Sequence, residues 1–356
     1  MTRAWVEIDL GALRRNGAVM AARAAALLPM IKADGYGIGA VAAARALESV
    51  SPWGFGVATV EEGRELRESG VVRPIVVFTP TLADELADIR VLRLTPALGT
   101  ARQIEAWRAI GAGHQDWHLA IDTGMHRAGV HWDEVAALRG LLEASPPQGA
   151  FTHFHSAELD DGSLAQQERR FEHALEQLPA RPALLHTENS AALSRATTSR
   201  WSLARPGIFL YGVGSGPRAL VQPQSVVSLR ARIVEIHTLD DGDCVSYDAT
   251  HRIAGSRRIA TLPLGYADGY RRVLGNRTQV LVAGRCAPVI GVVTMDMTMI
   301  DVTDIACDVG DVVTLIGRDG ERERSVESVA HDGGLSPYEL LTGLQSRLPR
   351  VYVNAS

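Results

Sequence analysis

Lys32 closes the apolar run 27–31, inside the segment Met30-Ile31-Lys32-Ala33-Asp34-Gly35-Tyr36-Gly37. A lysine ending a buried strand loses hydration and rotamer freedom, so solubility does not explain it. The same burial lowers its amine pKa from about 10.4. A free-base amine near neutral pH is what imine formation with a carbonyl compound requires. The ordinary alternative is a lysine that snorkels from a strand end. Asp122, His153, His186 and Arg205, each at the end of an apolar run, add an acid, two imidazoles and a guanidinium.

Such groups act together only if one scaffold gathers them. Short β-rich runs recur at 28–32, 54–58, 74–78, 91–95, 117–121, 149–154, 183–186 and 202–205. Amphipathic helical patterns at 59–69, 101–110, 132–142 and 164–178 are long enough to cross over between them. The alanine-rich stretch 18–31 reads as a buried helix running into the strand that carries Lys32. Eight alternating units predict a closed (β/α)8 TIM-like barrel, with an open doubly wound sheet as the runner-up. In a barrel, Lys32, Asp122, His153, His186 and Arg205 share the mouth at the strand C-terminal ends. Asn189-Ser190 and Pro206-Gly207-Ile208 follow strands seven and eight, where barrels commonly bind phosphate. A phosphate at that rim and a buried lysine on the first strand describe the two ends of pyridoxal 5′-phosphate.

After Gly212 the texture changes. A linker rich in Gly, Pro and Ser at 214–224 precedes period-two patterns at 227–233, 258–264, 278–282, 289–293, 297–302 and 312–316. The expected division is a barrel over 10–220 and a mainly-β domain over 221–356, which the strand within 1–9 joins. With 46% hydrophobic and 22% charged residues, the 356-residue chain reads as an ordinary globular protein. A net charge of −5 argues against nucleic-acid binding. Three scattered cysteines (Cys244, Cys286, Cys307) form neither a disulfide framework nor a zinc knuckle. Glu7 and Asp9 interrupt any export signal, and Arg23 breaks a stretch too short to span a bilayer. A cytoplasmic protein without membrane contact is expected.

The segment Ile31-Lys32-Ala33-Asp34-Gly35-Tyr36-Gly37 resembles the cofactor-lysine motif of the alanine racemase family, two-domain fold-type III enzymes that use pyridoxal phosphate. Further matches follow in the family's order: Trp5-Val6-Glu7-Ile8-Asp9-Leu10 with Asn16, Asp122-Thr123-Gly124-Met125 with Arg127 and Gly129, Thr152-His153-Phe154, and Asn189-Ser190-Ala191. They continue through Arg205-Pro206-Gly207-Ile208, Val245-Ser246-Tyr247, Gly265-Tyr266-Ala267-Asp268-Gly269, Met295-Asp296 and Tyr338-Glu339.

The resemblance implies that Lys32 holds the cofactor as an imine and is one of two catalytic bases, with Tyr247 the other on the opposite face. Arg205 would contact the pyridine nitrogen, and His153 would link it to Tyr247. Tyr36, Ser190, Gly207, Ile208 and Tyr338 would hold the phosphate. Arg127 and the Met295 amide would meet the substrate carboxylate, and Tyr266 would guard the entrance. The family also implies a homodimer in which Tyr247 and Met295 complete the neighbouring site. The chemistry is coherent, because inverting an α-carbon needs one proton-handling group on each face. Lysine and tyrosine serve only if both pKa values fall from about 10. Positive charge from Arg205, relayed through His153, would do this for Tyr247.

Taken singly, these residues have plainer readings. Arg127 fits a rim ion pair, Tyr247 and Tyr338 fit amphipathic packing, and His153-x-His155 lacks a third metal ligand. Gly35-x-Gly37-x-x-Ala40 fits a loose dinucleotide fingerprint that leaves Lys32 unexplained. The family's lysine two residues before the Asp122 motif, carbamylated in many members, is Ala120 here. Ile38 stands in place of the usual histidine, and Val292, Thr294, His155 and Glu158 alter the entrance channel. The expected activity is interconversion of L- and D-alanine for cell-wall precursors in a bacterial cytosol. Alternatives are racemisation of serine or another amino acid, a fold-type III decarboxylase, and a non-catalytic carrier of the cofactor. Arg205 opposes the decarboxylase and the Tyr247 segment opposes the carrier.

Overall fold

The computed structural model describes residues 2–112 and 115–355. Six strands run parallel in the order Phe55–Val57, Ile75–Val77, Thr95–Leu98, His118–Asp122, Gly149–Phe151 and Leu184–His186. Two further apolar segments close the ring by isolated bridges, Leu27 to Ala204 and Met30 to Gly56. Hydrogen bonds from Leu28 N to Ala204 O at 2.8 Å and from Ile31 N to Gly56 O at 2.9 Å hold the seam. The alternating β/α unit is thus present, with its first and eighth strands reduced to bridges. Both reduced segments belong to the site, where the chain must leave the ladder to reach a ligand.

Three sequence expectations need correction. The run 91–95 is not a strand: Val91 ends the helix Leu86–Val91 and is 78% exposed, Arg93 turns at φ 52°, and the strand is Thr95–Leu98. The helix expected over 18–31 is Leu10–Ala21, capped by the Asp9 carboxylate, and a turn separates it from the first barrel segment. The pattern at 132–142 divides into the tight turn Val135–Leu138 and the helix Arg139–Ala144. The helix Val60–Glu68 begins with a full capping box in which Thr59 and Glu62 satisfy each other's amides.

The second unit is a ten-stranded sheet. Its strand Val227–Arg232 alternates buried and half-buried residues, as a strand with one covered face should. That strand pairs antiparallel with Ala4–Asp9, which in turn pairs parallel with Arg350–Val353, so both chain ends lie in one sheet. The helices Val326–Gly333 and Pro337–Thr342 leave this sheet and bring Tyr338 to the barrel mouth. Among the described residues no helix is long and apolar enough to cross a membrane.

Candidate active site

Lys32 sits where the first barrel segment ends, and the next four residues make a left-handed turn. Ala33, Asp34, Gly35 and Tyr36 have φ of 52°, 52°, 60° and 56°. Left-handed helix costs L-residues roughly 1–2 kcal/mol each, so three non-glycine positions must be held there by their surroundings. The clamps are visible. Glu62 accepts the Ala33 amide at 2.7 Å, Asp34 accepts the Ala40 amide at 2.8 Å, Arg350 donates to Gly37 O at 3.0 Å, and the Tyr352 hydroxyl donates to Ile38 O at 2.8 Å. Gly37, at φ 87°, lies so close to the Leu341 carbonyl that a Cβ would collide with it. Burial lowers the Lys32 amine pKa, Arg127 and Arg205 lower it further, and Glu62 partly opposes them.

Arg205 forms the floor. It is buried, with Nη2 donating to Thr152 O at 2.8 Å and Thr187 O at 3.2 Å and contacting His153 Nδ1 at 3.4 Å. Nη1 donates to the His186 carbonyl at 2.5 Å and to its ring Nδ1 at 2.9 Å. Because a guanidinium only donates, His186 Nδ1 must be the acceptor, which leaves its proton on Nε2. That proton points to His118 Nδ1 at 2.8 Å, and His118 Nε2 then faces Gln148 Oε1 at 3.3 Å. Burial holds all three histidines neutral: His118 falls to about 4, His153 to about 3, and His186 well below its usual range, with Arg205 adding to each. Burial also pushes Arg205 down to about 9, with Glu188 opposing that fall.

At the far end, Ser190 Oγ accepts the Gly207 amide at 2.8 Å and the Phe209 amide at 3.4 Å, so the hydroxyl proton is left to donate elsewhere. Tyr36 stacks on Tyr211 at 4.5 Å and lies against Tyr338. Burial raises its phenol above the ordinary range, and a neutral phenol is a hydrogen-bond donor. A Cβ on Gly207 would strike the Tyr36 hydroxyl. Tyr36, Ser190 and Gly207 line one cavity of about 550 Å³ with Lys32, Arg127, His153, Asn189, Arg205, Ile208 and Tyr338. Pyridoxal phosphate fits this donor set: the Lys32 amine, hydroxyl donors, and a buried Arg205 whose Nε has no protein acceptor among the described residues.

The remaining predicted residues gather elsewhere. Tyr247, Tyr266 and Met295 are 68%, 39% and 53% exposed and do not line the cavity. Their loops are nevertheless tied together: Ser246 Oγ donates to Val292 O at 2.7 Å, Tyr266 N to Thr294 O at 3.0 Å and Ala267 N to Met295 O at 3.0 Å. Ser246, Asp248 and Ala249 flank Tyr247 at φ 68°, 61° and 46°. Asp122 lies at the mouth, where its carboxylate accepts the Gly124 and His126 amides at 2.9 and 3.1 Å. His186 does not reach the mouth. Stacked on Phe151 at 5.0 Å, it lies fully buried against Arg205.

Ala120 lines the cavity among Ala97, Phe78 and Phe151, and Arg127 makes no ion pair or hydrogen bond with the described residues. The same holds for metals: no metal-binding group of His, Cys, Asp or Glu occurs among them. Sequence reasoning missed His118, Gln148, Glu62 and Arg350. Only Glu62 left a signal, the Thr59-x-x-Glu62 pattern.

Two family models match the chain: "Alanine racemase, N-terminal domain" over residues 8–215 and "Alanine racemase, C-terminal domain" over 226–352. An alanine racemase of Symbiobacterium thermophilum is 37% identical, covering 99% of this chain and 97% of its own. One of Deinococcus radiodurans is 38% identical, covering 98% and 99%. The crystal structure of alanine racemase from E. faecalis superposes with a TM-score of 0.93 at 30% identity, covering 99% of this chain and 98% of that one. That from Bartonella henselae, which has covalently bound pyridoxal phosphate, gives 0.92 at 27% identity over 99% and 100%.

Proposed function

The chain belongs to the alanine racemase family, and from that premise we propose that it interconverts L- and D-alanine with Lys32 and Tyr247 as its two bases. The observation that carries this reading is one cavity holding an amine of lowered pKa, a buried guanidinium and a hydroxyl cradle. When bound, pyridoxal phosphate would supply the electron sink that makes an amino acid's α-proton removable. Lys32 would attach it, and burial, by lowering the amine pKa, favours the free base that can accept a proton. Tyr36, Ser190, Gly207, Ile208 and Tyr338 hold the phosphate. Arg205 would lie at the ring nitrogen; as a poor proton donor, it would leave that nitrogen unprotonated, which would favour proton return over transamination. Arg127 and the Met295 amide bind the substrate carboxylate, and Tyr266 guards the entrance.

Tyr247 lies outside the cavity of its own chain, so we assign it to the neighbouring site in a homodimer. His153, already against Arg205, then meets Tyr247 of the partner subunit and carries the influence of the guanidinium to its phenol. The exposed patch of Tyr247, Tyr266, Met295 and Met297 supports such an interface. We place the barrel at 10–220 and the sheet unit at 221–356 with the strand of 1–9, and the enzyme in the cytosol of a bacterium, supplying D-alanine for cell-wall precursors. Circular dichroism of the purified enzyme against a panel of L-amino acids tests the substrate. Optical activity should vanish fastest with alanine; loss with serine or arginine but not alanine rejects the assignment.

A further inference from the structure

The floor of the cavity carries a charge that its immediate neighbours do not balance. Arg205 is 4% exposed. It donates to the carbonyls of Thr152, His186 and Thr187 and touches the rings of His153 and His186. No carboxylate lies within ion-pair distance of it among the described residues. The other charged groups facing it are Lys32 and Arg127, and the three histidines nearby are neutral. A guanidinium buried without a counter-charge is costly, so its compensation must come from slightly farther off.

One buried acid adjoins it along the backbone. Glu188, 5% exposed, is joined to Arg205 through the backbone: its carbonyl accepts the Arg205 amide at 2.7 Å, and Asn189 bridges Arg205 in parallel. Its carboxylate accepts from the Ser199 hydroxyl and from the Arg200 amide at 3.3 Å, both neutral donors, and forms no ion pair among the described residues. The other charge acting on it is Glu168, which pairs with the Arg200 guanidinium at 3.9 Å. Burial raises the Glu188 pKa above the ordinary carboxylate value, and the Ser199 and Arg200 hydrogen bonds and the Arg205 charge offset part of that rise.

We propose that Glu188 is a positioning residue of the site: its carboxylate, fixed by Ser199 and Arg200, is the buried counter-charge of Arg205 and sets the potential at the cavity floor. This rests on the cofactor assignment only for which group reads that potential. The charges facing Lys32 itself are Arg127, Glu62 and Arg205; with these unchanged, removing the Glu188 charge disfavours the cations at the cavity floor, so Lys32 should lose its proton at lower pH. At an effective dielectric near 20, a unit charge beyond contact distance moves a neighbour's pKa by about one unit.

The variant is Glu188→Gln, which can keep both contacts because Ser199 can accept as well as donate. Two titrations are read on the full-length enzyme. One follows the visible absorbance of the bound cofactor against pH. The other, on the same chain freed of cofactor, follows Lys32 acetylation by competitive labelling and mass spectrometry. Glu188→Gln should lower both midpoints by about one pH unit. Ser199→Ala, which keeps the charge but loosens it, should lower them less and supplies the test if the first variant does not fold. Midpoints equal to wild type, with only a lower melting temperature, would reduce Glu188 to a structural clamp and overturn the proposal. A labelling shift in a chain whose wild type shows no cofactor absorbance would uphold the charge role and reject the cofactor reading.

Discussion

Two strained turns carry the two proposed bases, and they are held in different ways. The turn at 33–36 lies beside the cavity, gripped by Glu62, Asp34, Arg350 and the packing of Gly37 on Leu341. The turn around Tyr247 has three non-glycine residues at positive φ, yet Tyr247 is 68% exposed and the visible ties are Ser246 to Val292 and Asp248 to Arg272. Strain in a folded chain persists only where surroundings over-determine it. The first turn is finished by its own chain. The second makes physical sense when another surface completes it, which is what a shared site in a dimer supplies.

The largest expected effect separates the two. Lys32→Ala should abolish both the imine absorbance and turnover. Tyr247→Phe should keep the absorbance and cut turnover by about 10²–10⁴-fold, unequally for the two enantiomers. Mixing the two inactive variants under conditions of subunit exchange should restore activity to about a quarter of wild type, since half the dimers are hybrids with one intact site of two. Circular dichroism and visible absorbance measure all three. No recovery on mixing, despite demonstrated exchange, would place both bases in one chain and remove the reason for the difference between the turns.

The same contrast marks what the sequence discloses. Barrel strands were legible because buried parallel strands read as continuous apolar runs, and Lys32 and Arg205 were legible as charges ending such runs. The run 91–95 misled because a helix end and a strand start abut, and only the exposed Val91 and the turn at Arg93 separate them. Strand position alone puts His186 at the mouth, because it does not say whether the last side chain points up or lies flat against Phe151. Gly35 and Gly37 hint at the left-handed turn, whereas Ser246, Asp248 and Ala249 give no glycine signal at all. Glu62 and Arg350 grip the Lys32 turn from distant segments, and no local pattern records that.

Acid sharpens the comparison next, because the barrel buries its titrating groups. His118 and His153 fall to about 4 and about 3, and His186 lies well below its usual 6.5. Between those values and 6.5 the unfolded chain binds protons that the folded chain does not, so stability rises with pH there and is lost as pH falls. Three such groups give a slope of about 4 kcal/mol per pH unit near pH 5. Urea unfolding at several pH values measures it, and His118→Gln should remove about one proton from the slope. An unchanged slope in that variant would mean that His118 is protonated in the folded barrel, contrary to the direction of the relay.

The smallest effect discriminates most finely. Ala33 and Ala249 have nearly the same backbone, φ 52° and 46°, so glycine at either relieves a similar left-handed cost. After allowing for the extra freedom glycine gives the unfolded chain, each change should stabilise by about 0.5–1 kcal/mol. Function should divide them. In the gripped turn, Ala33→Gly leaves Lys32 where its clamps hold it, and kcat stays within about twofold. In the loosely tied turn, Ala249→Gly frees Tyr247 to wander, and kcat falls by about tenfold with the imine absorbance intact. Equal losses from the two substitutions would mean that strain, and not the clamps around it, fixes both bases.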